Sequence, residues 1–177
     1  YTKFQKCHAY ETAQKLKEEG KIRHVGISFH DTAEVLDQIL TDHPELEAVQ
    51  LQFNYADYLD KEVQSKACYD VCEKHGKPVI VMEPVKGGKL IRLPKKAQDI
   101  FDALQGGTNA SYAIRFAAGF DNIMMVLSGM SNMEQMNDNI SFMKDFHPLT
   151  RKEQDAVKNV AEIFHAQKMI SCTTCRY

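Results

Sequence analysis

Four apolar runs, each ending in polar or glycine-rich residues that feed a helix, constrain this chain more than any other feature. They are Val25 to Asp31 (VGISFHD), Ala48 to Asn54 (AVQLQFN), Pro78 to Pro84 (PVIVMEP) and Asn122 to Ser128 (NIMMVLS). Near-continuous apolarity without alternation predicts strands covered on both faces, as in a parallel sheet flanked by helices. Repeated strand-then-helix units predict an α/β chain whose strand C-termini all lie on one edge. The candidate functional loops are then Ser28 to Asp31, Asn54 to Tyr58, Glu83 to Lys89 and Ser128 to Asn132.

Helix signals fill the gaps. Asp31 is placed to cap a helix carrying Val35, Leu36, Ile39 and Leu40, and Asp60 one carrying Val63, Ala67, Val71 and Cys72 that Gly76 stops. Asn109 precedes Ala113, Ile114 and Ala117, while Asn132 precedes Met133, Met136, Ile140 and Met143. Thr150 and Glu153 have capping-box spacing before Ala156, Val157, Val160, Ile163 and Phe164, and an opening helix ends at Gly20. The gap from Val85 to Thr108 holds Gly87-Gly88, Pro94 and Gly106-Gly107, which predicts a loop with a short helix inside it.

Composition narrows the partners. A net charge of −2 without a basic run argues against nucleic acid and anionic membranes. No apolar stretch approaches the roughly 20 residues that span a bilayer. Five irregularly spaced cysteines fit a reducing, cytoplasmic setting better than a disulfide framework.

The segments HVGISFHD, VQLQFNY, VMEPVKGGKL and VLSGMSNMEQMNDNI, in that order and spacing, resemble the fifth to eighth strand ends of an aldo-keto reductase. Within that family the bacterial branch with a ferredoxin-like cysteine cluster is the most similar. The resemblance implies a TIM (β/α)8 barrel, a fold of about 250 residues, of which this chain holds the C-terminal half, strands five to eight. Residues 1–167 form the half barrel and 168–177 open a truncated cysteine motif. The family's catalytic Asp, Tyr, Lys and His lie on strands two to four, so no residue here receives a catalytic role. A start at Tyr1 rather than Met fits an excised or proteolysed half.

What the resemblance leaves is the half that holds a nicotinamide cofactor, NADP or NAD. It places Ser28 and Gln50 at the carboxamide, for which a hydroxyl and an amide are chemically suited. His30 follows Phe29, where many members carry Asn. Met82 falls where relatives stack an aromatic ring on the nicotinamide; it reads either as a looser thioether contact or as barrel packing. The loop from Glu83 to Lys89 has glycines and lysines able to approach a pyrophosphate, without full P-loop or G-x-G-x-x-G spacing. Gly129, Met130 and Ser131 belong to the loop that in relatives meets the adenosine end, with Gln135 and Asn139 one helical turn apart behind it. Asn139 matches the adenine reader; Gln135 stands where NADPH users often carry Arg, which leaves NADH versus NADPH open.

Cys68 and Cys72, at i and i+4, read as core residues. The terminal Cys172-x-x-Cys175 is a redox dithiol, half a zinc site, or the opening of a C-x2-C-x2-C iron-sulfur run. The resemblance favours the third, a 4Fe-4S site left incomplete at these two cysteines. The implied activity of the intact protein is reduction of a small-molecule carbonyl by hydride from NAD(P)H, with this chain alone inactive. The alternative is a non-enzymatic nucleotide-binding or electron-transfer module. The implied partner is the N-terminal half of the barrel, or a second copy joined through the exposed strands Arg23–Ile27 and Ile123–Leu127. Tyr55 and Tyr58 are read as pocket wall or packing.

Overall fold

In the computed structural model, which describes residues 1–166, the four apolar runs form parallel strands β1 (Gly26–Phe29), β2 (Ala48–Gln52), β3 (Val79–Met82) and β4 (Ile123–Val126). They lie side by side in chain order, with Ser28 opposite Gln50, Gln50 opposite Ile80, and Gln52 opposite Met82. The helices are α1 (Thr2–Lys6), α2 (Ala9–Glu18), α3 (Ala33–Asp42), α4 (Ser65–Lys74), α5 (Lys95–Asp102), α6 (Asn109–Ala118), α7 (Met133–Met143) and α8 (Arg151–Ala166). One helix separates β1 from β2 and β2 from β3, and two, α5 and α6, separate β3 from β4, which is how parallel neighbours are joined. The gap from Val85 to Thr108 contains α5 and no strand, as its glycines and proline imply.

The expectation of a sheet covered on both faces is corrected. On β2, Val49 and Leu51 are buried while Gln50 and Gln52, which alternate with them, are not, and β3 alternates likewise. One face packs Phe29, Val49, Leu51, Val79 and Val81 against Leu36, Ile39 and Leu40 of α3, Cys68, Tyr69 and Cys72 of α4, and Ala117 of α6. By the two-residue period of a strand, Ser28, Gln50, Gln52 and Met82 point to the opposite face. A few polar residues inside an apolar run therefore marked a second, open face. A separate core joins Tyr55, Leu90, Phe101, Tyr112, Leu149, Val157 and Val160 beneath α5, α6 and α8.

Three expected caps shift. Asp31 accepts from the amide of Thr32 (2.8 Å), and it is Thr32 whose hydroxyl accepts from Val35 N at the start of α3. Thr108, not Asn109, caps α6 by accepting from Ser111 N. Asp60 closes a turn with Glu62 N and Val63 N instead of capping α4, which begins after Gln64 in a left-handed conformation. Gln64 instead serves α3, its side-chain oxygen accepting from Ala33 N at 3.0 Å. Asn132 and the Thr150–Glu153 box cap α7 and α8 as expected. Gly76, at φ +63, ends α4 in a turn that returns Lys77 N to Cys72 O.

The β4–α7 border is unlike the rest. No residue of α7 is buried, and Met124, Met125, Leu127, Met130, Met133, Met136 and Ile140 are all exposed. Met133, Met136 and Ile140, at i, i+3 and i+7, share one face of α7, an uncovered apolar stripe of the kind that marks an interface.

Candidate functional site

The open face carries the predicted constellation at its C-terminal edge. Gln50 Nε2 donates to the Met82 sulfur at 3.4 Å, and Ser28 Oγ lies 3.9 Å from the same sulfur. Three adjacent strands thus bring a hydroxyl, a primary amide and a thioether to one point. A thioether is a weak acceptor, so the Ser28 and Gln50 dipoles remain available to a stronger partner. His30, one residue beyond β1, is exposed and forms no hydrogen bond among the described residues, so the structure does not join it to this cluster.

Beside this cluster lies a buried polar group that the sequence reading missed. Asn54 and Asp57, in the loop leaving β2, are 0% and 2% exposed. The Asp57 carboxylate accepts from Gln52 Nε2 and Asn54 Nδ2, both at 2.7 Å, and pairs with the Lys86 ammonium. Asn54 Nδ2 also donates to Glu83 O at 3.0 Å, while its Oδ1 accepts from Ala56 N and Asp57 N. Burying a carboxylate is tolerable because its oxygens are hydrogen-bonded and its charge is matched. The network holds the loop after β3, where Glu83 (φ 58) and Lys86 (φ 50) are left-handed without being glycine. Each such residue costs on the order of 1–3 kcal/mol and persists where its surroundings over-determine it. The Asn54-x-x-Asp57 spacing directly after a strand was the available signal.

The loop between β4 and α7 is braced from behind by its own helix. Ser131 N and Oγ both donate to Gln135 Oε1, at 2.8 and 3.2 Å, and Asn139 Nδ2 donates to Ser128 Oγ at 2.7 Å. Gly129, Met130, Ser131 and Gln135 are exposed, and a Cβ added to Gly129 meets open space. The expected adenosine-end residues therefore share one loop-and-helix unit. No Lys or Arg occurs between Asp121 and Met143.

Other candidates resolve into packing. Tyr55 is buried edge-on against Phe101 and Phe116, and burial pushes its hydroxyl above the ordinary phenol value. Tyr58 packs on Phe53, Phe116 and Phe120. Burial also pushes the Cys68 thiol up to about 11 and Cys72 to about 12, which keeps both protonated as core residues. No cluster of three or more metal-ligating side chains occurs among the described residues. Cys172 and Cys175, and the segment 168–177, lie outside those residues.

Residues 2–162 match the Aldo/keto reductase family. The chain belongs to that family. Solved structures agree on the fold. Aldo-keto reductase AKR11C1 from Bacillus halodurans, in its holo form, superposes with a TM-score of 0.66 at 22% identity, covering 85% of this chain and 54% of that one. An aldo-keto reductase from Klebsiella pneumoniae in complex with NADPH gives 0.65 at 21% identity, covering 85% and 52%. Aldose reductase from Giardia lamblia gives 0.65 at 18% identity, covering 87% and 50%. This aldo-keto reductase chain thus spans about half the length of the structures it matches. Among curated proteins, none matches it. No helix among the described residues is long and apolar enough to cross a membrane.

Proposed function

We propose that this chain is the cofactor-holding C-terminal half, strands five to eight, of an aldo-keto reductase barrel that reduces a small carbonyl compound with NADH or NADPH. The observation that carries the reading is the convergence of Ser28 Oγ and Gln50 Nε2 on the Met82 sulfur at the C-terminal edge of the sheet. This donor set fits a nicotinamide: the hydroxyl and the amide suit its carboxamide, and the polarisable sulfur suits the face of its ring. In this reading Gly129, Met130, Ser131, Gln135 and Asn139 serve the adenosine end, and His30 is assigned to the nicotinamide end by resemblance alone. When bound, the cofactor supplies the hydride. The chain's own part is to bind and orient, and no group here is assigned the transfer of a proton to the carbonyl oxygen.

The coverage of about half of each matched structure supports a partner that completes the barrel. β1 and β4 end the four-stranded sheet, and such edges offer unpaired backbone groups to further strands. The exposed apolar side chains of β4 and α7 supply the matching surface, taken by the N-terminal half or by a second copy. Resemblance also supports a 4Fe-4S site at Cys172 and Cys175, through which no step of the proposed reduction runs.

Complementation tests the reading. The chain alone should not oxidise NADH or NADPH against an aldehyde, and adding a separately produced N-terminal half should restore turnover. Gln50→Ala in the reconstituted pair should weaken cofactor binding about twofold to tenfold, the range of one ordinary hydrogen bond. Carbonyl reduction by the chain alone, abolished by Tyr55→Phe or Tyr58→Phe, would reverse the assignment.

A further inference from the structure

Resting on the cofactor reading above, we infer that Asp57 is a positioning residue for the nicotinamide end of the site, acting through Lys86 and the exit of β3. Two observations connect them. Gln52, which donates to Asp57 at 2.7 Å, lies directly opposite Met82 in the strand register and two residues from Gln50 on the same strand. Met82 is held at its carbonyl by Phe53 N (3.1 Å), and the next carbonyl, that of Glu83, by Asn54 Nδ2 (3.0 Å). The loop that carries Asp57 therefore grips the backbone on which the Met82 sulfur rides.

A strand exit built for folding alone is most cheaply made with glycine at left-handed positions. Here Glu83 and Lys86 take those conformations, and a carboxylate whose side chain is 3% exposed holds the Lys86 ammonium. Such strain clusters at functional sites, and although His8, Gln64 and Gln105 are also left-handed, at Glu83 and Lys86 it is fastened by a buried hydrogen-bonded network. With Asp57 paired to Lys86, Met82 stays within reach of Ser28 and Gln50 before any ligand arrives. Among the described residues the loop Gly129–Asn132 and helix α7 share no hydrogen bond with this network; their own bonds run to Ser131, Asn132 and Ser128.

The full chain and its Asp57→Asn and Lys86→Met variants can be titrated with two probes by NMR: reduced nicotinamide mononucleotide and adenosine diphosphate. Asp57→Asn retains the shape of the side chain, and Lys86→Met removes the same ion pair without leaving a cation, so loss of folding in one variant leaves the other as the test. Each should weaken the mononucleotide about fivefold or more while moving adenosine diphosphate by less than roughly twofold. Equal weakening of both probes marks a general structural role and overturns the inference. An unchanged mononucleotide affinity also overturns it, with the cofactor reading intact. If the unaltered chain binds neither probe, the cofactor reading itself fails and this inference with it.

Discussion

Arg115 on α6 and Glu153 on α8 meet in a two-point ion pair, Nη1 to Oε1 at 2.8 Å and Nη2 to Oε2 at 3.2 Å, with side chains only 11% and 13% exposed. The same carboxylate accepts from Thr150 N and Oγ1, so one residue caps α8 and ties it to α6. Burial raises the Glu153 carboxyl, but the bonds from Arg115 and Thr150 outweigh it and hold the group below its ordinary 4.5. A depressed carboxyl contributes stability that is present above the unfolded value and lost as pH falls through the folded one. Thermal melts should therefore weaken below about pH 4.5, and Glu153→Gln should flatten that dependence. Breaking the pair should cost about 3 kcal/mol, measured by urea unfolding at neutral pH.

The strands and most helices were legible because their signal is local: apolar runs, glycine stops and capping residues sit next to one another in the chain. The caps at Thr32 and Thr108 were misplaced by one residue because Asp31-Thr32 and Thr108-Asn109 each offer two competent side chains. That Ser28, Gln50 and Met82 meet was legible through the family resemblance of their strand ends, since each stands on a recognisable apolar run. Asp57 and Lys86 are 29 residues apart, and nothing local says that a loop aspartate will be buried against a loop lysine. The exposure of Met133, Met136 and Ile140 was likewise hidden, because a helical stripe reports what wants cover and not what supplies it.

Cysteine chemistry should follow burial. Cys7 is exposed, whereas Cys68 and Cys72 are buried with thiols pushed up to about 11 and about 12. Thiolate is the reactive form, so mass-mapped alkylation at pH 8 should modify Cys7 quickly and leave the buried pair untouched until denaturant is added. Fast labelling of Cys72 in the folded chain would refute its place in the core.

Cofactor preference should turn on Gln135. Its Oε1 is occupied by Ser131, its amide cannot pair bidentately with a phosphate, and the stretch around it holds no cation. NADH should therefore bind at least as tightly as NADPH. Gln135→Arg should shift the ratio toward NADPH by roughly tenfold or more, the worth of a hydrogen bond to a charged group. An unchanged ratio would move the 2′-phosphate away from α7.

Whether the C-terminal edge of this sheet holds a nicotinamide cofactor is decided by residue-resolved NMR during titration of the full chain with NADH. Shifts should concentrate at Ser28, Gln50 and Met82 and, separately, at Gly129, Met130, Ser131, Gln135 and Asn139. Saturable binding whose shifts fall instead on the outer groove lined by Ser111, Arg115 and Asp145, with Ser28 and Gln50 unmoved, would contradict it.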